Sequence, residues 1–305
     1  MIEPLRLLSV RLLHFMIGGY PVRSFFSKFS LAVMLIVSAN ITFAADNGLL
    51  WKLEAPSGKV SYLLGTMHTD DQRVTEFSPK ILEAFNQSEA FMMETLPPRD
   101  PSIFMMKQGT VAEMMTEKEF DQVRELADFH SMHIEAAMRM KPWLLAVIFD
   151  LPKPKALYSM DELLMAKAEE QFKRIVGLEK TREHFSVLDS VSMEDQMIML
   201  RAVLKRSQKT KERDYEKLLK AYQSGDLKKI IDLDDKITGG MLPKAVWENM
   251  RVKLIDERNA GMAEGLVSEA KDKAVFAAVG ASHLAGDGGI LGRLRASGFV
   301  VTPVK

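Results

Sequence analysis

Two histidines follow apolar segments of the chain in the same way. Residues 60–64 lead into a Gly-Thr-Met-His sequence that ends at His68, and residues 275–279 lead into a Gly-Ala-Ser-His sequence that ends at His283. Each apolar segment predicts a strand that ends in glycine, with a histidine three positions later. Because ligands of α/β proteins usually bind beyond the carboxyl ends of the strands, we expect the two imidazoles to converge at one sheet edge.

Two carboxylates have comparable positions in the sequence. Glu94 follows a predicted strand at 90–93, and Glu179 follows one at 172–178. Two imidazoles and two carboxylates suit a divalent ion such as Mn²⁺, Co²⁺, Fe²⁺ or Zn²⁺. Such an ion activates water near neutral pH, and a carboxylate beside it would be either a general base or a further ligand. The residues leave both roles open.

Other polar residues have simpler structural explanations. His130 and His133 are three positions apart and could share a helix face, but we favour structural roles for them over metal binding. His184 is predicted to be exposed. Three acids are predicted first as turn residues and only second as supports of the site: Asp70, Asp71 and Asp287.

Composition and missing motifs exclude several classes of protein. The 305 residues include no cysteine, so disulfides, thiolate zinc sites and cysteine nucleophiles are excluded. The 41 basic and 41 acidic side chains balance, which argues against nucleic acid as a main partner. No His-Glu-x-x-His, Gly-x-Ser-x-Gly or Walker sequence is present, which argues against zincins, α/β hydrolases and P-loop enzymes. The Gly-Asp-Gly-Gly sequence at 286–289 is only half of a dinucleotide-binding loop.

The amino-terminal segment resembles an export signal. Basic residues at 23 and 28 precede an apolar run at 29–37, and small residues follow up to Ala44. We predict cleavage after Ala44 and a periplasmic or secreted protein. The alternative is a segment at 23–44 that stays uncleaved and anchors the chain to the membrane.

The remaining chain, residues 45–305, is predicted to form one mixed α/β domain. Its central sheet is flanked by helices, and a large helical insertion covers about 105–270. Capping boxes predict three helix starts, at Thr116, Ser159 and, in a weaker form, Ser192. The remaining predicted strands and the helices beside them lie at 49–53, 79–89, 274–279, 289–296 and 299–303.

Several motifs together resemble the TraB/GumN/PrgY family, which includes the Tiki metalloproteases. They are the paired Gly-x-x-His turns, the Gly-Leu-Glu ending at Glu179, the Glu-Arg-Asn around Arg258, and the Val-Gly-Ala-Ser-His-Leu-Ala-Gly-Asp at 279–287. A Leu-x-x-x-Gly-Phe-x-Val sequence follows. The resemblance covers essentially all of residues 45–305.

The resemblance implies a function that spacing alone does not. Tiki proteins are membrane-tethered proteases that depend on Mn²⁺ or Co²⁺ and trim the amino end of Wnt ligands; their fold is related to the erythromycin esterase and ChaN-like group. By this resemblance the metal ligands are His68, His283, Glu94 and Glu179, with Zn²⁺ or Fe²⁺ as less favoured ions. Glu94, Glu179 and Arg258 are the expected catalytic residues, Arg258 as an oxyanion stabiliser or an orienting group.

The chain departs from the family pattern directly after Glu179. Residues 180–184 read Lys-Thr-Arg-Glu-His where a Thr followed by Glu-Gln is expected, which leaves the partner of Glu179 open. The predicted activity is hydrolysis of peptides or proteins outside the cytoplasm. Two alternatives are a protein that sequesters a secreted peptide without turnover and, by fold analogy alone, a haem- or iron-handling protein.

Overall fold

A six-stranded mixed sheet forms the centre of the computed structural model, which describes residues 47–305. The predicted export signal at 1–44 lies outside these residues. Across the sheet the strand order is β4-β3-β5-β2-β1-β6. The strands are β1 (Leu50–Glu54), β2 (Val60–Thr66), β3 (Ala90–Thr95), β4 (Arg174–Glu179), β5 (Val275–Gly280) and β6 (Val300–Pro303). The predicted α/β class, with a central sheet flanked by helices, is confirmed; the relation to the ChaN-like group stays a prediction.

The four strands β4, β3, β5 and β2 are parallel neighbours. Their carboxyl ends therefore lie along one edge of the sheet, as the sequence predicted. Strands β3 and β5 are buried over five of their six residues, which is typical of parallel strands covered on both faces. Strand β1 pairs antiparallel with β2 and β6 and completes the sheet.

Strand β4 starts two residues later than predicted. Phe172 has a positive φ of 53° and is 96% exposed, so it belongs to the turn that precedes the strand. The helix predicted at 79–89 ends at Asn86. The other strand boundaries agree with the predicted ones to within two residues.

Thirteen α-helices occur in the described part of the chain. In chain order they are α1 (Gln72–Thr75), α2 (Pro79–Asn86), α3 (Glu117–Phe129), α4 (Ile134–Arg139), α5 (Pro142–Asp150), α6 (Met160–Glu170), α7 (Thr181–Asp189), α8 (Met193–Leu204), α9 (Gln208–Ser224), α10 (Leu227–Thr238), α11 (Lys244–Arg251), α12 (Glu257–Ala270) and α13 (Ile290–Ala296). The capping boxes that begin at Thr116 and Ser159 are both present, and the Ser192 hydroxyl accepts the Asp195 N–H at the start of α8.

The apolar side chains form two clusters. The larger one joins the sheet to helices on its faces, among them α6, α9, α12 and α13. The smaller one lies among helices alone, with members on α3, α4, α5 and α8. The segment predicted as a helical insertion, about 105–270, is not wholly separate from the sheet. It contains β4, which pairs with β3, and α12, which packs against β4 and β5. Within residues 47–305, no helix combines the length and apolar character needed to cross a membrane.

Candidate metal site

The four predicted ligands come from the four parallel strands. Glu94 lies inside β3 and Glu179 is the last residue of β4. His283 ends a short 3-10 turn directly after β5, and His68 follows β2 by two residues. Because these strands are neighbours, the four side chains lie in sequence along one edge of the sheet. The structure thus brings together all four residues; their chemical roles stay a prediction.

Glu94 is the centre of this group, and its two oxygens face different sets of residues. Oε1 lies 4.0 Å from His68 Nε2 and 3.8 Å from His283 Nε2. The same oxygen accepts the backbone N–H of Gly280 at 2.7 Å. Oε2 faces the guanidinium of Arg258 instead. Glu94 therefore divides the site into a histidine side and an arginine side.

Gly280 leaves open the space that the histidine side surrounds. A Cβ atom on this residue would lie 3.2 Å from Glu94 Oε1, 3.5 Å from His283 Cδ2 and 3.8 Å from His68 Nε2. Its φ of −53° is accessible to any amino acid. The backbone therefore does not require glycine here, but the space between the three side chains does.

Asp161 orients the first imidazole. Its Oδ2 accepts the N–H of His68 Nδ1 at 2.8 Å, and its Oδ1 accepts the Thr66 hydroxyl at 2.7 Å. Because a carboxylate only accepts hydrogen bonds, the Nδ1 atom carries a proton and Nε2 points towards Glu94. The negative charge of Asp161 raises the pKa of His68 above its ordinary value, against the effect of desolvation.

Asn259 orients the second imidazole. Its amide N–H donates to the Gly288 carbonyl at 3.2 Å, so its oxygen faces His283 Nδ1, which lies at 2.7 Å. Nδ1 is then the protonated nitrogen and Nε2 keeps its lone pair. Burial lowers the pKa of His283 to about 4. A neutral imidazole with a free lone pair is the form that binds metal ions.

The arginine side is a network of charge-assisted hydrogen bonds. Arg258 Nε donates to both oxygens of Glu179, at 3.1 and 3.0 Å, and Nη2 donates to Glu94 Oε2 and Glu179 Oε2. His184 Nδ1 lies 2.9 Å from Glu179 Oε2 and 3.0 Å from Arg258 Nη2. All four side chains are largely buried, so water screens their charges poorly.

The charges of this network shift its titrations together. Burial would raise the pKa of Glu94, but His283 when protonated, Arg258 and His68 outweigh it and hold that pKa well below its usual range. For Glu179, burial is outweighed by hydrogen bonds from His184 and Arg258, so the pKa of Glu179 is also lowered. Both carboxylates are therefore ionised at neutral pH.

A π-helical turn at Val252–Asp256 precedes α12 and helps to place Arg258. Arg258 Nη1 donates to the Leu254 carbonyl of this turn at 3.1 Å and lies 3.4 Å from His283 Nε2. Turns of this kind occur often at functional sites because they widen the helix locally. The guanidinium is thus fixed from its own helix as well as by the two carboxylates.

A second set of metal-binding atoms overlaps the arginine side. Glu94, Glu179 and His184 each offer an atom that lies within 4.8 Å of the others. Arg258 Nη2, however, is within hydrogen-bonding distance of all three. The guanidinium therefore already supplies positive charge among these three groups.

Several expectations about individual residues need correction. His184, predicted to be exposed, has a side chain only 17% exposed and contacts Glu179 and Arg258. His130 is buried at the end of α3 while His133 is exposed at the start of α4, so the two do not share a helix face. Asp71 is the N-cap of α1, in agreement with its prediction as a turn residue.

Two residues of the site were not predicted from the sequence. Asp161 is the second residue of α6, where acids are common because they favour the helix dipole, so its position gave no signal. Asn259 follows Arg258 within the Glu-Arg-Asn motif, and its amide could have been tested as a partner for one of the motif histidines.

The described residues thus form a mixed α/β sheet with two histidines and two carboxylates beside the carboxyl ends of four adjacent parallel strands. Residues 49–303 match the TraB/PrgY/gumN family. The chain belongs to this family. It is also 24% identical to an uncharacterized protein of Treponema pallidum (strain Nichols) over 174 residues, which is 51% of this chain. The matched region likewise spans about half the length of that relative, 51%.

Proposed function

We propose that this protein is a divalent-metal-dependent hydrolase that acts on peptides or proteins. The observation that carries the proposal is the convergence of two imidazole Nε2 atoms, at 4.0 and 3.8 Å, on the same oxygen of Glu94. A proton on Nδ1 of each ring, bound by Asp161 or Asn259, leaves Nε2 as the atom available to a ligand.

The donor atoms fit a divalent transition-metal ion. Two imidazoles and one carboxylate are a common ligand set for catalytic ions, which keep open positions for water and substrate. The space above Gly280 that a Cβ would fill lies between these donors. We assign His68, His283 and Glu94 as ligands, with Mn²⁺ or Co²⁺ favoured by the family resemblance and Zn²⁺ or Fe²⁺ as alternatives.

A bound divalent ion would supply a Lewis acid that polarises a carbonyl and lowers the pKa of a water molecule. Arg258 would stabilise negative charge on the substrate. Of its contacts, the one from Nη1 to His283 Nε2 is the longest, at 3.4 Å, and this N–H is the one most easily redirected to a substrate oxygen. Glu179 acts in this scheme by holding the guanidinium in place rather than as a ligand.

The class of substrate and the place of action rest on the family resemblance and on the amino-terminal sequence. Peptide hydrolysis is the activity of the Tiki proteases that the motifs resemble. We propose that the protein acts outside the cytoplasm, as a periplasmic or secreted protein or one anchored by residues 23–44. Peptide sequestration without turnover is the alternative that an activity measurement separates.

Metal analysis of the purified protein tests the site. We expect about one equivalent of divalent ion in the wild type, restored by Mn²⁺ or Co²⁺ after chelation, and loss of the ion in His68→Ala/His283→Ala. The exposed His133→Ala is the matched control and should keep the ion. Equal metal content in the double variant and in the control would overturn the assignment.

Cleavage of a peptide library, followed by mass spectrometry, tests the activity. Cleavage should disappear on chelation and in the double variant, and return when metal is added to the wild type. Stoichiometric capture of peptides that is insensitive to chelation, with no products, would instead establish a sequestering protein.

A further inference from the structure

A groove with basic walls lies between α8, α9 and α10 and shares no residue with the metal site. Its volume is about 780 Å³, within the range of sites that hold small organic ligands. Six of the residues that line it are cations: Arg201, Lys205, Arg206, Arg213, Lys217 and Lys236. We call this feature the basic groove.

A single acid, Asp214, lines the basic groove and is shared by three of the cations. Its carboxylate accepts hydrogen bonds from Arg206 Nη2 at 2.8 Å, Arg213 Nε at 3.2 Å and Lys217 Nζ at 3.1 Å. Arg206 has a second acidic partner in Asp150. The single carboxylate of Asp214 cannot neutralise both Arg213 and Lys217, so the groove keeps an excess of positive charge.

Two further cations of the groove have no ion pair with any residue in 47–305. Lys205 follows the last residue of α8, and Lys236 lies in the last turn of α10; both are exposed. The charge of Arg201 is partly neutralised, because Arg201 pairs with Glu119 at 2.9 Å. Lys205 and Lys236 are therefore the groups most available to an incoming anion.

The floor of the basic groove is apolar. Its side chains are partly buried. They come from α8, α10 and the turn after α10: Ile198, Ala202, Leu233, Ile237 and Met241. Charged walls around an apolar floor match a ligand with an acidic head and an apolar body.

We propose that the basic groove binds a single amphiphilic anion, whose acidic head group pairs with the lysines and arginines and whose alkyl chain lies on the apolar floor. Its composition argues against an amphipathic helix as the occupant, because such helices dock in hydrophobic grooves and six of the thirteen residues that line this one are cations. The apolar side chains of the groove are all partly buried, and none is exposed as a membrane-inserting side chain would be, which argues against a membrane surface. The inference is independent of the metal site and of hydrolase activity.

Calorimetric titration with dodecyl phosphate, below the concentration at which it forms micelles, tests this site. We expect saturable binding to the full-length protein, at least tenfold weaker binding of inorganic phosphate, and at least tenfold weaker binding of a neutral dodecyl maltoside. Across octyl, decyl and dodecyl phosphate, each added methylene should tighten binding by about threefold to fourfold.

Charge substitutions at the two available lysines locate the site. Lys205→Glu/Lys236→Glu should weaken binding of dodecyl phosphate at least tenfold, and the milder Lys205→Gln/Lys236→Gln should weaken it in the same direction. Lys209→Glu/Lys220→Glu, at exposed lysines of α9 that do not line the groove, is the matched control and should change the affinity less than twofold. Circular dichroism checks that each variant is folded.

Three outcomes would overturn the proposal. Equal losses in the groove and control variants would mean a general attraction of anions to surface lysines. Inorganic phosphate that binds as tightly as dodecyl phosphate would mean that the apolar floor contributes nothing. Binding to phosphatidylglycerol vesicles without binding to monomeric dodecyl phosphate would identify a membrane-docking surface instead.

Discussion

The two Gly-x-x-His turns have the same spacing and the same place at a strand end, but they hold their imidazoles in opposite environments. The side chain of His68 is 67% exposed and its Nδ1 atom is bound by a carboxylate, Asp161. The side chain of His283 is 6% exposed and its Nδ1 atom is bound by a neutral amide, Asn259. The pKa of His68 is raised and that of His283 is lowered to about 4.

The difference shows that a motif can fix where a histidine lies without fixing its protonation. Burial and the partner of Nδ1 decide that property, and the two partners come from different helices, Asp161 from α6 and Asn259 from α12. At neutral pH the site therefore combines His68, whose imidazole is protonated at both nitrogens, with His283, whose neutral imidazole keeps a lone pair on Nε2. A metal ion would have to displace the Nε2 proton of His68, whereas Nε2 of His283 is already unprotonated.

Removal of the Glu94 carboxylate, which both imidazoles face, should have the strongest effect on the site. In Glu94→Gln an amide would replace the charge between the histidines and Arg258, and the side chain could no longer accept from both Gly280 and Arg258 without placing an amide N–H against one of them. We expect metal affinity to fall more than 100-fold and the free energy of unfolding to fall by about 2 kcal/mol. Metal titration and urea unfolding measure the two effects.

Glu264→Gln, at an exposed acid of α12, is the matched control and should change neither quantity appreciably. The variant also separates the two roles left open for Glu94. Retention of the metal with loss of peptide cleavage would assign Glu94 as a general base and would contradict its assignment as a ligand.

Gly280→Ala tests whether the space between the two rings is needed. The new methyl group would lie 3.2 Å from Glu94 Oε1 and 3.8 Å from His68 Nε2, while the φ of −53° accommodates alanine. We therefore expect a folded protein whose metal affinity is lowered about 10- to 100-fold. Gly261→Ala, at an exposed position of α12 where a Cβ meets no atom within 4 Å, serves as control. Unchanged affinity in Gly280→Ala would place the ion elsewhere.

Exchanging the two orienting residues tests whether the partner of Nδ1 sets the pKa of each imidazole. Asp161→Asn removes the negative charge beside His68 and should lower its pKa, whereas Asn259→Asp adds one beside His283 and should raise its pKa above about 4. NMR titration of the imidazole resonances in the chelated protein measures both. Metal affinity in each variant should fall about tenfold, since the orienting hydrogen bond is altered. Shifts of equal sign in the two variants would refute the role given to the partners.

The sheet edge could be predicted from the sequence because its signals are local. A strand that ends in glycine is visible within a few residues, and parallel strands bring their carboxyl ends together. The positions of His68, Glu94, Glu179 and His283 along that edge could therefore be predicted without a structure, while their chemical roles stay a prediction.

The partners of those residues could not be predicted, because the contacts depend on how other helices pack against the sheet. Asp161 is 93 residues from His68 and lies in an ordinary first helical turn. His184 follows Glu179 by five residues and is predicted from the sequence to be exposed, but the packing of α7 against β4 places it beside Arg258. The division of the site into two sides follows from these contacts and has no signature in the sequence.

His130 provides the smallest test, because it isolates burial from hydrogen bonding. Its ring stacks on Phe149 with centroids 5.8 Å apart, and its Nε2 has no hydrogen-bond partner in residues 47–305. Burial lowers the pKa of His130 to about 4, whereas the unfolded chain titrates near 6.5. Between these values the unfolded state binds more protons, so stability should fall as the pH drops from 7 to 5, by on the order of 1 kcal/mol.

His130→Leu cannot take up this proton and should lose that much less stability over the same interval. The comparison of its urea unfolding at pH 8, 7 and 5 with that of the wild type separates protonation from packing, because a packing change affects all three values equally. His283 remains in both proteins, so its own protonation cancels from the difference. Parallel pH profiles would show that burial, together with the nearby Lys211 and Lys153, does not depress the pKa of His130, and burial could then no longer explain the contrast between His283 and His68.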